Sequence, residues 1–324
     1  MNCHFPDLKS RRAAALILLA ALTGSATVVS TPQAASLIDC STVPLGTPAD
    51  GATSCFSFTS PGGGFAGLFR DGAPGAEVGV IMMHGRGATP NSLVVREMRT
   101  TLANAGYATL SIQNPIPADA NNNGTLTDFS DYVADVQGPN TVFPETFARI
   151  SEAIAFMAGQ SIERIVIGGF SLGSRLALAH VARGQQTGDL PIVGYIGVGI
   201  NGNSIDPLNH LFTLDGIGVP VLDIYGDADP DAAPTAPSRL LAYGGNPDDY
   251  TQIALNCRVD IVGNDCHQLR GGLRGAEDRP FEIAVNDWAS SFAPLISIHA
   301  PDDWSAIIPA LGFVVWRLRR SARG

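Results

Sequence analysis

From residue 78 onward, short continuous apolar runs alternate with stretches in which apolar side chains recur every three or four positions. A continuous run is how a strand buried on both faces reads, and the three-four spacing marks one face of a helix. Their alternation predicts a parallel sheet covered by helices on both faces. Residues 78–83 form the first run, a strand that ends in the turn His84-Gly85-Arg86-Gly87. Asn91 or Ser92 is placed to cap a helix that runs to Asn104 and is closed by Gly106, ahead of a strand over 107–112. Phe147, Ile150, Ile154 and Met157 give one helical face before a strand at 164–167. Leu172, Leu176 and Ala179 begin another helix, which stops at Gly184. Strands follow at 192–198 and 219–225, with a weaker one at 258–262, and Phe281, Val285, Trp288 and Phe292 form the stripe of a closing helix.

Residues 36–77, with two cysteines and the turn Pro61-Gly62-Gly63-Gly64, read as an antiparallel entry to the same domain, which spans 36–295. Two long polar connections, 114–140 and 200–217, break the regular order. Loops of this length in a compact domain tend to be functional, and ligands of such sheets bind beyond the carboxyl ends of the strands. The two loops are therefore expected to rim the substrate site.

The ends of the chain differ from the middle. Lys9, Arg11 and Arg12 precede an apolar run over 13–22, the pattern of a secretory signal peptide assigned to 1–35, with cleavage after Ala26 or near Ala34 and Ala35. At the other end, the tail 296–324 holds an apolar stretch over 306–316 followed by Arg317, Arg319 and Arg320. That order suits either a sorting signal or membrane tether, or a terminal helix packed on the body. Without its leader the chain keeps 17 basic against 29 acidic residues, which argues against nucleic-acid partners. Cys40, Cys55, Cys257 and Cys266 remain as an even set, close in sequence two by two. In an exported protein they predict the local disulfides Cys40–Cys55 and Cys257–Cys266, and their spacing does not suit a metal.

The chemistry centres on Gly169-Phe170-Ser171-Leu172-Gly173, a G-x-S-x-G sequence between a predicted strand and a predicted helix. Such a turn throws the serine forward at a helix N-terminus, and the glycines let strand and helix backbones pass closely. A serine hydroxyl needs a base, and the base an orienting carboxylate, in the order Ser, Asp or Glu, His. His84, His180 and His210 come too early; His299 lies in the tail; His267 sits between the last strand and the closing helix. The acid is Asp229, with Asp227 as the alternative, both just past the strand at 219–225. Backbone donors for an oxyanion are expected from Leu172 and from Arg86 or Gly85.

Taken together, these motifs resemble the α/β-hydrolase superfamily of serine esterases and lipases over residues 65–293. The His84-Gly85 turn, the stretch 107–113 and Phe143-Pro144-Glu145 are similar to a family of exported bacterial α/β-hydrolase-like proteins. The resemblance implies an α/β-hydrolase fold and a serine hydrolase of small-molecule or lipid esters that needs no cofactor. Amidase or peptidase activity from the same residues, and a non-catalytic binding protein, remain as alternatives. Cys266 and Asp265 stand directly before His267, where better-known esterases have small residues, so a Cys257–Cys266 bond would anchor the histidine loop.

Two further patterns stand in the sequence. Asp119, Asn121, Asn123 and Gly124 match the first half of a calcium loop over 119–130, but Ser130 stands where a bidentate glutamate is needed, and an Asx-rich turn is the default. Gly197, Gly199 and Gly202 match G-x-G-x-x-G, yet no helical period follows to hold a pyrophosphate.

Overall fold

The structure, a computed structural model, describes residues 35–42, 51–125, 128–187, 191–200, 206, 208–257, 264–269 and 280–291. The predicted leader and the C-terminal tail lie outside the described residues. Among the described residues, no helix is long and apolar enough to cross a membrane.

The chain enters through three antiparallel strands, β1 (Ser36–Ile38), β2 (Ser54–Ser60) and β3 (Gly63–Arg70). β4 (Val78–Met83), α1 (Leu93–Asn104), β5 (Ala108–Ile112), α2 (Phe129–Gln137), α3 (Val142–Gly159) and β6 (Arg164–Phe170) follow. Then come α4 (Leu172–Thr187), β7 (Ile192–Val198), α5 (His210–Leu214), β8 (Val221–Gly226), α6 (Ala236–Ala242), β9 (Tyr250–Leu255), α7 (Asn264–His267) and α8 (Pro280–Ser290). They build one sheet in the order β1-β2-β3-β5-β4-β6-β7-β8-β9, antiparallel up to the β3–β5 pairing and parallel from β5 to β9. This is an α/β-hydrolase fold, with helices on both faces.

Strand β4 shows why the apolar runs are continuous. Ile81 and Met83 pack into one core with α3 and α4, and Val78, Val80 and Met82 into a second core with α1 and α8. Alternate side chains point to opposite faces, and both faces are dry. The entry strands are tied to the helical layer by Glu145 of α3. Its carboxylate accepts the N–H of Gly62 at 2.7 Å and the hydroxyl of Ser60, while Arg149 donates to it from one turn later at 2.7 Å. A Cβ on Gly62 would lie 2.5 Å from the Glu145 carboxyl carbon, so a side chain there would have to displace this carboxylate. Asp135, near the end of α2, caps α3 by accepting the N–H groups of Thr141 and Val142 at 2.9 Å.

Both cysteine pairs are bonded as predicted, Cys40–Cys55 and Cys257–Cys266. Two readings change, and a third keeps its default. Among the described residues the last strand is β9 at Tyr250–Leu255, which the hydrophobic pattern passed over; residues 258–262 lie outside the described residues. The two polar connections are not plain loops, since each carries a helix, α2 in one and α5 in the other. At the calcium-like sequence, Asp119 accepts the backbone N–H of Asn123 at 3.1 Å and of Gly124 at 2.7 Å, an Asx-rich turn.

Candidate active site

β6 ends at Phe170 and α4 begins at Leu172, leaving Ser171 alone to make the reversal. Its φ is 54°, the left-handed region that a side chain adopts only under strain. The Ser171 N–H donates to the carbonyl of Val198 at 2.8 Å, and the Ser174 hydroxyl donates to the Ser171 carbonyl at 2.5 Å. The flanking glycines are obligatory. A Cβ on Gly169 would lie 2.5 Å from the carbonyl carbon of Gly173, and one on Gly173 would run into the carbonyl oxygens of Met83 and His84. Helix α4 thus rests directly on the end of β4.

His267, the last residue of α7, is nearly buried. Its Nε2 lies 2.9 Å from Ser171 Oγ and its Nδ1 2.7 Å from Asp229 Oδ2. The ring packs on Phe170, with centroids 5.1 Å apart. Gly199, at φ 58°, leaves room for it: a Cβ there would sit 3.1 Å from His267 Cε1. Of the glycines in the G-x-G-x-x-G match, Gly199 packs on the imidazole, Gly197 faces Ile200, and Gly202 lies outside the described residues.

Asp229 is buried, and its second oxygen accepts the N–H groups of Asp231 at 2.8 Å and Ala232 at 3.0 Å. Burial pushes its carboxyl up, but the hydrogen bond and charge of His267, with the two backbone N–H groups, outweigh that and hold it below the usual carboxylate range. An ionised carboxylate facing Nδ1 fixes the ring proton there and leaves Nε2 as acceptor for the serine hydroxyl. Asp227 has other work. Exposed, it accepts the N–H of Cys257 at 2.7 Å. Asp229, Asp231 and His267 also bring ligand-type atoms within 4.8 Å of one another, but the bonds just given already engage the ring nitrogens and both Asp229 oxygens.

On the opposite side of Ser171, the turn after β4 carries Gly85 and Arg86. A Cβ on Gly85 would lie 3.0 Å from the Phe170 ring and 3.4 Å from Ser171 Cβ, so this backbone and the start of α4 at Leu172 flank the serine. His84 is structural. Its Nε2 accepts the N–H of Asn114 at 3.0 Å, its Nδ1 donates to the Gly85 carbonyl at 2.8 Å, and Asn114 donates back to the His84 carbonyl at 2.6 Å. Burial, with the charge of Arg149 adding to it against the Gly85 bond, lowers His84 to about 4, so a neutral ring holds the turn.

A cavity of 640 Å³ opens beside Ser171 and His267. Its wall includes Phe129 from α2, Phe170, Arg86, Arg175, Pro234 and Thr235. The connection 114–140 thus reaches the rim, as expected. The described residues of 200–217 do not, and residues 230–235 take that side instead.

Sequence reasoning missed the support under the acid. Arg239 of α6 and Asp223 of β8 form a fully buried pair, Nε to Oδ2 at 2.8 Å and Nη2 to Oδ1 at 3.1 Å. The same guanidinium donates to the carbonyls of Ile200 at 2.9 Å and Ala232 at 2.8 Å, and Tyr250 and Gln252 of β9 each donate to Asp223 at 2.8 Å. Ala232 therefore links this network to Asp229, whose carboxylate its N–H reaches. Pairing across so many residues leaves no local sequence signal.

A family model described as phospholipase/carboxylesterase matches residues 72–239, more than half of the chain. The chain belongs to the phospholipase/carboxylesterase family. The match includes Ser171 and Asp229 and ends before His267. Among solved structures, the chain is similar to a dienelactone hydrolase from Anabaena variabilis, with 16% identity, 74% of this chain and 97% of that one covered, and a TM-score of 0.50. It is also similar to a zinc-bound, cold-adapted esterase from an Arctic intertidal metagenomic library, at 13% identity, 77% and 98% coverage and a TM-score of 0.52. A thermostable carboxylesterase cloned from a metagenomic library matches at 12% identity, 75% and 90% coverage and a TM-score of 0.53. At such identities the likeness shows the fold alone. A comparison with curated proteins gives no match.

Proposed function

We propose that this protein is an exported serine hydrolase that cleaves carboxylic esters through an acyl-enzyme formed on Ser171. The observation that carries the reading is His267, which faces Ser171 Oγ with one ring nitrogen and Asp229 with the other. Membership of the family supports ester hydrolysis, and the two disulfides suit an oxidising compartment reached by a leader.

Ser171 attacks the acyl carbon as its proton passes to Nε2 of His267, and Asp229 stabilises the imidazolium that forms. The oxyanion develops toward the backbone N–H groups of Leu172 and Arg86, at the N-terminus of α4. His267 returns the proton to the leaving alcohol, the C–O bond breaks, and water repeats the sequence to free the acid and Ser171. The C-terminal tail, with its apolar stretch and arginines, would tether this chemistry to the membrane.

Labelling with a fluorophosphonate probe, and turnover of 4-nitrophenyl esters of graded acyl length, test the reading. Both are expected of the wild-type chain and lost in Ser171→Ala. A wild-type chain that neither labels nor turns over any ester would overturn it, and turnover confined to anilides would make it an amidase.

A further inference from the structure

The chain carries a formal charge of −10, yet the cavity beside Ser171 is lined by two arginines. Arg86 lies in the turn after β4 and is exposed. Arg175 lies one helical turn beyond Ser171 on α4 and is only 4% exposed. The Phe129 ring faces the Arg175 guanidinium at 4.8 Å, fixing it against the cavity wall. Asp231 is the acidic side chain among the cavity-lining residues, one exposed negative charge against two positive ones.

Ester hydrolysis by a serine does not require either guanidinium, because the oxyanion is served by backbone N–H groups. Burial, and after it the charge of Arg86, bring Arg175 down to about 10, with Asp231 acting in the other direction. Arg175 therefore stays protonated at neutral pH. Guanidinium groups are forked donors that match the oxygens of a carboxylate or phosphate.

We infer that the cavity selects esters whose acyl or alcohol part carries a compact anionic group, a carboxylate or phosphate, received between Arg86 and Arg175. The inference rests on the hydrolase reading for its chemistry but not for anion binding. Phe170, Pro230 and Pro234 supply the apolar wall along which the linking carbons lie.

The test compares 4-nitrophenyl hexanoate with the 4-nitrophenyl hemiester of adipic acid and with its phosphonate-ended analogue, alongside calorimetric titration with adipate and with inorganic phosphate. The wild-type chain is expected to prefer an anionic ester by about tenfold in kcat/KM, a preference that shrinks with added salt. Which anionic arm wins separates carboxylate from phosphate. Arg175→Met is expected to lower the anionic-to-neutral ratio tenfold or more, and Arg86→Gln, an exposed change that spares the fold, to lower it as well. Equal or better use of the hexanoate ester, with no anion bound, overturns the inference while leaving the hydrolase reading intact. Anion binding that needs both arginines, in a chain whose Ser171 is never labelled, would sustain the anion site and defeat the hydrolase reading. Absence of both defeats both.

Discussion

Asp227 accepts the backbone N–H of Cys257 at 2.7 Å, while Asp229, two residues on, takes the imidazole of His267 at the same distance. Two acids two residues apart are thus divided between the backbone of a loop and the ring of His267. Asp229→Asn is expected to lower kcat/KM for a 4-nitrophenyl ester on the order of 10³–10⁴-fold, because an amide at this position favours the wrong tautomer. Asp227→Asn should cost less than about tenfold, the scale of one weakened hydrogen bond. Steady-state kinetics on the two variants decide the matter, and equal losses would reverse the assignment.

The bridge Cys257–Cys266 closes a loop of sequence separation 9 and ends one residue before His267. Gly226, at the end of β8, packs against it: a Cβ there would meet the Cys266 sulfur and lie 2.7 Å from that of Cys257. A loop this short contributes about 2–3 kcal/mol in the chain-entropy picture, well short of the stability of a domain of this size. Mild reduction, or Cys257→Ala with Cys266→Ala, should abolish ester turnover while far-UV circular dichroism stays native-like and the denaturant midpoint falls only by the equivalent of about 2–3 kcal/mol. Parallel loss of activity and fold would show that the bridge holds the whole domain.

Arg239 and Asp223 are both fully buried. Arg239→Met leaves the Asp223 charge without its bidentate partner, and breaking one side of such a pair costs about 3–5 kcal/mol. Urea unfolding should show that loss, with turnover falling too because the Ala232 segment that braces Asp229 loses its anchor. A variant with unaltered midpoint would mean that Tyr250 and Gln252 suffice for Asp223.

Three buried histidines make the fold acid-sensitive above the carboxylate range. Burial lowers His84 to about 4, His180 to about 3 and His210 to about 4, with nearby arginine charges adding to the effect in each. In the unfolded chain each titrates near 6.5, so on acidification the unfolded state binds protons first. Stability is therefore complete above pH ~6.5 and falls as pH drops toward ~4, by about 4 kcal/mol per pH unit near pH 5 if all three act together. Denaturant titrations at pH 7, 6 and 5 measure the slope, and His180→Gln should reduce it by about a third. A flat profile over this range would mean that the histidines are already charged in the folded state.

The sheet was legible where burial on both faces left unbroken apolar runs, as at Val78–Met83 and Ile192–Val198. It was not legible at β9, where Thr251 and Gln252 interrupt the run because Gln252 is turned to a buried carboxylate. Helix α2 hid among aspartates, although Phe129, Tyr132 and Val136 keep helical spacing and Asp128 stands at its N-cap. That Ser171 and His267 meet could be read from chain order, since the elbow and a single suitably placed histidine are local features. Asp229 could be put ahead of Asp227 from its place on the loop, but not to the exclusion of Asp227, because the choice depends on which neighbouring groups each carboxylate meets. Arg175 went unread for a related reason: on an amphipathic stretch its charge looks like the solvent side of the helix, and only the placement of Phe129 turns it into the cavity.

Phe129 is also where the connection 114–140 touches the cavity, whereas Ser171, Asp229 and His267 are carried by the ends of β6 and β8 and by α7. One part of the cavity wall is therefore borne by a stretch of the gene separate from the three residues proposed to break the ester, and meets them at a ring set against Arg175. Exchange of that insertion, by descent or by an engineer's splice, would yield enzymes of new appetite with an old reaction.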